Sequence, residues 1–367
     1  MKWAKIIIGV VILAMLLAVG QTTFSFFSPP GESLDTIAAK WTQSGHSDRT
    51  SISFTYWDDD EPPVIPENCA KCHSLYGYLD YLGLDGRTPG QVDEPAPVGS
   101  VIYCYACHSQ AAHALDSVVF PGNTEVTGLE WGEANCMNCH MGRQSTATVN
   151  NAIGNVGDDD VMEGQGFINV HYAVAAATQL GSEAAGGYQY AGKEYVGRYP
   201  HVPDYATCTD CHDAHSGQIT PADCAPCHAN VVAYDDLYDI RELPTDHDGD
   251  GDTQKGIYYE IQALHAALYD AIEAYAADVL GEPIGYAYGF PYWFVRDPET
   301  GEVLPGFPNR YMSWSPRLLR AAYNYQFVNK DPGAFSHNPE YALQLLYDSL
   351  EDLAARVPVA MEQYTRP

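Results

Sequence analysis

The chain is short of positive charge: its 367 residues carry 18 Lys and Arg against 48 Asp and Glu, for a formal net charge of -30. With a sequence pI near 4.5, a surface that tracks phosphates is excluded, so neither nucleic acid nor an anionic lipid face is an expected partner. The acidic runs Asp58-Asp59-Asp60-Glu61 and Asp158-Asp159-Asp160 read as solvated surface, because blocks of like charge repel and hold water. Long apolar runs are equally scarce. The one candidate, Ile6 to Val19, follows Lys2 and Lys5 and ends at Ala18-Val19-Gly20. That is the layout of a secretory signal over residues 1–20; left uncleaved and extended by Trp3 and Ala4, it would serve as an N-terminal anchor. The expected location is exported: periplasmic, extracellular or on the outer face of the cytoplasmic membrane, with a soluble mature chain. Cysteine is absent before Cys69, which excludes a lipid-bearing cysteine near the signal, and absent again from residues 228–367.

Between those limits the ten cysteines fall into five copies of one pattern. The copies are Cys69-Ala70-Lys71-Cys72-His73, Cys104-Tyr105-Ala106-Cys107-His108, Cys136-Met137-Asn138-Cys139-His140, Cys208-Thr209-Asp210-Cys211-His212 and Cys224-Ala225-Pro226-Cys227-His228. Two thiols three positions apart reach the two vinyl groups of one haem, and the next residue's imidazole then lies under the iron as proximal ligand. Five disulfides or a set of zinc sites would also use ten cysteines, but neither requires a histidine after every second one. The pattern therefore predicts five haem c groups, with His73, His108, His140, His212 and His228 as proximal ligands. Because thioether bonds hold each cofactor, the haems supply much of the core of residues 21–235. His212 and His228 are separated by a short stretch with two prolines, which places the fourth and fifth haems as neighbours.

Eight histidines remain: His46, His113, His171, His201, His215, His247, His265 and His337. A second histidine on each iron would give low-spin, low-potential haems suited to electron transfer, whereas an open position would admit substrate. His215 follows His212 by three residues and points toward a neighbouring haem. His171 leads into Ala173–Thr178, a small-residue stretch suited to a helix lying against a flat ring. His201 precedes Pro203 and stands seven positions ahead of Cys208. His46 precedes every motif and His337 follows every one, at a helix start marked by Asn338-Pro339-Glu340. His113 sits in a small-residue turn, His247 in an acidic loop, and His265 on a helix with a solvent-facing role expected. A ligand from His113, from a methionine such as Met141, or from a neighbouring subunit stays open for the first or last haem.

With the motifs stand Ser44-Gly45-His46, Phe167 to Tyr172, Gly186-Gly187-Tyr188, and Asn324-Tyr325-Gln326-Phe327 followed by His337-Asn338-Pro339. Together they resemble a family of exported multihaem cytochromes c loosely related to the cytochrome c nitrite reductase and hydroxylamine oxidoreductase superfamily. The resemblance implies distal ligation by His46, His171, His201, His215 and His337. It does not extend to catalysis. The nitrite reductases bind substrate at a motif ending in lysine, and all five here end in histidine. Hydroxylamine oxidoreductases use eight haems and a tyrosine cross-link that no tyrosine here singles out.

Residues 236–367 read as a C-terminal helical region packed on the haem core. Ile257, Ile261, Leu264, Leu268, Ile272 and Tyr275 recur at helical spacing and predict a helix over 255–280. Ser315-Pro316 opens a second helix, and Asn338-Pro339 a third that ends before Pro358. Tyrosines alternating around Ala191-Gly192 predict a small β-hairpin over 187–196. Asp246, Asp248, Asp250 and Asp252, with Gly251, resemble the start of a calcium loop, although position twelve is Ile257 and Glu260 lies three residues further on. The expected fold is thus mainly α with extensive irregular coil, wrapped around a haem chain. The expected function is electron conduction, exchanged with redox partner proteins or other copies of the chain. An oxidoreductase with one five-coordinate haem acting on a small nitrogen or sulfur compound is the alternative, and a subunit of an extracellular cytochrome filament a further one.

Overall fold

A computed structural model describes residues 31–202, 205–241 and 243–367; the signal predicted for residues 1–20 lies outside them. Among the described residues no helix is long and apolar enough to cross a membrane. The architecture is mainly helical with long irregular stretches and three two-stranded antiparallel ribbons. The ribbons pair Val64–Ile65 with Ala96–Pro97, Ser117–Phe120 with Thr124–Thr127, and Ile284–Tyr286 with Trp293–Val295.

Each cysteine pair sits on a turn of helix. Glu67–His73 and Cys104–His108 carry whole motifs, whereas Trp131–Met137, Cys208–Cys211 and Pro221–Cys224 carry the beginnings of theirs. In those last three, the histidine N–H still donates to the carbonyl of the first cysteine, four residues back, at 2.9–3.0 Å. Positions i, i+3 and i+4 of a helical turn lie on one face. The winding therefore sends both thiols and the imidazole of a motif to the same side.

The three predicted long helices form at Ile257–Asp278, Pro316–Asn329 and Pro339–Ala354. Ser315 caps the second by accepting from Leu318 N at 3.3 Å, and Asn338 the third by accepting from Tyr341 N at 3.1 Å. Leu264, Leu268, Leu319 and Leu346 are fully buried, and they share one continuous core with Val118, Met137, Val149 and Leu180. The C-terminal helices are thus built into the same core as residues 118–188. Truncating Leu268 or Leu346 to alanine would cost about 2–5 kcal/mol.

Two expectations change on the structure. Residues 187–196 turn at Ala191-Gly192 but form no ladder, because their backbone is claimed by side chains instead of by each other. Tyr188 N donates to Asn324 Oδ1 at 2.6 Å, Gln189 N to Thr146 Oγ1 at 3.0 Å, and Val196 N to Gln344 Oε1 at 3.0 Å. The acidic run at 158–160 is likewise not simply solvated. Asp159 takes Arg317 Nε at 2.8 Å and Arg356 Nη1 at 2.5 Å, Asp158 takes Arg320 Nη1 at 2.9 Å, and both arginines of the 316–329 helix also grip Asp352. The run therefore clasps two helices together.

Candidate haem-binding site

Each of the five motif histidines faces one histidine from a distant part of the chain. His73 lies 5.9 Å from His171, ring centroid to centroid; His108 lies 6.2 Å from His215, and His140 lies 6.2 Å from His46. His212 stands 6.3 Å from His337, and His228 stands 6.2 Å from His201. Two metal–imidazole bonds of about 2.1 Å across one metal, plus the half-width of each ring, come to about 6.4 Å between centroids. The five separations fit that span.

The partners are held by particular devices. His171 and His201 adopt left-handed backbone, φ 73° and 51°, a conformation costing about 1–3 kcal/mol that tends to gather at functional positions. Gly142 N donates to Ala173 O at 3.3 Å and Arg143 N to Val170 O at 3.1 Å, so the third motif's tail carries the His171 segment. His46 O accepts from Ile102 N at 3.1 Å, which ties that histidine to the approach of the second motif. His337 ends the short helix Ala334–His337, beneath which a Cβ added to Gly333 would lie 2.6 Å from His337 Cε1. Only glycine leaves that ring its place.

Ring nitrogens turned away from the partner are satisfied. His73 Nδ1 meets Ser53 O at 2.7 Å, His212 Nδ1 meets Gly217 O at 3.1 Å, and His337 Nδ1 meets the Asp331 carboxylate at 2.8 and 2.9 Å. Such contacts fix the tautomer that leaves Nε2 as an electron-pair donor. Burial pulls His140 down to about 4, helped by the neighbouring His46, His212 and His337; burial, Arg143, His73 and Lys330 take His171 equally low. Neutral imidazoles are what metal binding requires. His337 is the exception: burial opposes its charged form, but the Asp331 carboxylate outweighs that and raises it.

The motifs crowd together around the third. Cys72 Sγ approaches Asn138 O at 3.8 Å and Cys139 Sγ approaches Lys71 O at 4.0 Å, so the first and third motifs meet reciprocally. The Cys139 thiol draws Cys72 down to about 7, and Cys208 lowers Cys136 in the same way. Burial, with Cys136 beside it, pushes Cys107 up to about 11, and burial, with Cys224 beside it, raises Cys211. A single cavity of about 2040 Å³ runs past cysteines of all five motifs and past His46, His73, His140, His171, His201, His212, His228 and His337. Ordinary small-molecule pockets reach about 300–1,000 Å³. Paired thiols with an adjacent imidazole, an opposing imidazole and a large cavity fit a set of covalently held haems.

The remaining candidates sort differently. His113 lies 5.9 Å from His108, as near as His215, but it stacks on Trp131 at 4.1 Å and 17°. His265 does not face solvent; it is buried, stacked on Tyr325 at 3.9 Å and bonded to Tyr325 O at 2.9 Å. His247 is buried with Nδ1 2.8 Å from Thr365 O. Met141 is buried with its sulfur 3.9 Å from Lys71 Nζ. In the acidic loop, Asp246 and Asp248 converge with Glu260, their oxygens within 4.8 Å of one another. Asp250 turns to Lys255 Nζ at 2.6 Å, and Asp252 accepts from Gln254 N at 2.9 Å. Glu260 was too far along the loop to count as its twelfth position, and helix Ile257–Asp278 turns it inward to full burial.

No family model matches the chain, and no solved structure matches it. Among curated proteins, it is 25% identical to the C-type polyheme cytochrome OmcC of Geobacter sulfurreducens over 84% of this chain and 45% of that protein. It is 23% identical to the C-type polyheme cytochrome OmcB from two strains of the same organism, over 83% of this chain and 46% of each relative. The chain is a distant relative of multihaem c-type cytochromes. Haem c is accordingly the cofactor class that the similarity implies. The chain spans less than half the length of these relatives.

Proposed function

We propose that this chain is an exported pentahaem cytochrome that relays electrons, with every iron held between a motif histidine and one histidine from elsewhere in the chain. The carrying observation is the set of five imidazole pairs at 5.9–6.3 Å. The pairs are His73 with His171, His108 with His215, His140 with His46, His212 with His337, and His228 with His201. Bound haem c supplies a one-electron couple at each pair. The chain's own work is to fill both axial positions, which leaves no iron open to substrate and favours transfer over catalysis. It also sets the order of the centres: the contacts make the third motif a hub between the first and fourth, with the second at its side and the fifth beyond the fourth. The acidic surface suits a basic redox partner. Denaturing mass spectrometry of matured protein should show the polypeptide plus five haems; four or fewer would contradict the count.

At His108 a second reading has support, because His113 is as close as His215. We assign His215, because it comes from a distant part of the chain as the other four partners do, whereas His113 lies five residues beyond His108.

A further inference from the structure

We propose that the haem site of the first motif is the high-potential end of the relay and that of the fourth motif the low-potential end, so that electrons run from the fourth, through the third, to the first. This rests on the pentahaem reading above. Three cations lie beside the first motif, two of them, Lys71 and Arg143, where it meets the third. Lys71 lies within it, with Nζ 4.8 Å from the Tyr81 ring centre. Arg143 lines the shared cavity, its backbone bonded to Val170 O at 3.1 Å beside His171. Lys330 is buried, its Nζ 3.9 Å from the ring centre of Tyr172 and 4.4 Å from that of Tyr292. None of the three makes an ion pair among the described residues, although most basic side chains of this acidic protein do. Outside the donor set itself, the charged groups felt by Cys69, Cys72, His73 and His171 are Arg143, Lys71 and Lys330, all positive.

The fourth site is the reverse. The Asp331 carboxylate, 4% exposed, accepts from His337 Nδ1 at 2.8 Å. Asp210 lies inside the motif, accepting from Thr207 N at 2.7 Å, while Asp213, beside His212, is neutralised by Lys40 at 2.7 Å. At the fifth motif Asp223 acts on Cys224.

The sign follows from the electron count. Reduction adds one electron to a ferric iron, giving ferrous iron and lowering the site's charge by one. Neighbouring cations favour that product and raise the potential; a carboxylate that strengthens its histidine as a donor favours the ferric form and lowers it. Arg143 is the decisive cation because a guanidinium stays charged.

The test is a potentiometric titration of the intact holoprotein, with dithionite and ferricyanide, followed in visible absorption and fitted as five one-electron steps. Arg143→Gln should lower the highest midpoint about tenfold in its oxidised-to-reduced ratio, about 59 mV for a one-electron couple. Arg143→Lys should restore it, and Arg310→Gln, remote on the Phe307 ring, should move nothing. Asp331→Asn should raise the lowest midpoint. If Arg143→Gln shifts none of the midpoints, or one other than the highest, while five low-spin haems persist, the inference is overturned. Fewer than five one-electron steps in the unaltered protein would instead overturn the pentahaem reading, and the inference with it.

Discussion

A single imidazole decides whether an iron is closed or open, and the ten paired histidines differ in how firmly each is placed. His337 has a buried carboxylate behind it and a glycine beneath it, so Gly333→Ala should displace the ring and produce one high-spin haem in the visible and paramagnetic resonance spectra. An unchanged spectrum would mean that the ring has room to yield. The second motif offers a sharper choice. His215→Ala should yield one high-spin, carbon monoxide-binding haem, while His113→Ala should leave all haems low-spin; the opposite result would transfer the ligand to His113. The proximal set was legible because spacing alone specifies it. The distal five were legible as candidates among eight spare histidines, through their flanking segments and the family resemblance, but their pairing was not: it depends on long-range contacts such as that between Gly142 N and Ala173 O. The misplacement of His265 has a similar cause. Its helix is buried on most sides, so periodicity could not tell which face meets Tyr325.

At the level of elements, the arginines of the Pro316–Asn329 helix hold the C-terminal bundle to residues 158–159. Arg317 is 8% exposed and bonds Asp159 at 2.8 Å as well as Asp352. Arg317→Met would leave Asp352 to Arg320 and Asp159 to Arg356 and Tyr275, and should cost about 1–3 kcal/mol in denaturant unfolding; a loss near zero would show the clasp to be incidental. Burial alone would raise the Asp159 carboxyl, but Arg317, Tyr275 and Arg356 outweigh it and hold the group below its ordinary value. Its contribution is therefore present above the unfolded carboxylate range and lost as pH falls through the lowered folded value. Asp159→Asn should weaken the bundle at neutral pH and flatten that acid dependence, measured as melting temperature against pH. The acidic loop makes a separate prediction. With Asp246, Asp248 and buried Glu260 converging, calcium should raise the melting temperature relative to chelated protein by drawing Asp248 away from Lys255. No shift and no bound metal would leave Lys255 and Arg241 as the counter-ions of the cluster. The three long helices were readable from caps and apolar spacing, whereas the 187–196 hairpin failed because Asn324, Thr146 and Gln344, all remote in sequence, took its backbone donors.

Across the whole molecule, a chain with many acidic residues and few basic ones deploys most of its scarce cations in two ways. Most are neutralised in structural pairs, and three lie beside the first haem motif. What sequence could supply at this scale was the number of motifs and the spare histidines; what it could not supply was their spatial order, since the first, third and fourth motifs touch while the second lies aside. The central claim is that all five irons are closed by two histidines. It is tested most directly by low-temperature paramagnetic resonance of the oxidised holoprotein, paired with carbon monoxide addition to the reduced form. The account predicts only low-spin ferric signals and no carbon monoxide shift. A stoichiometric high-spin signal that binds carbon monoxide in intact protein would contradict it and make an open, substrate-binding iron the leading reading.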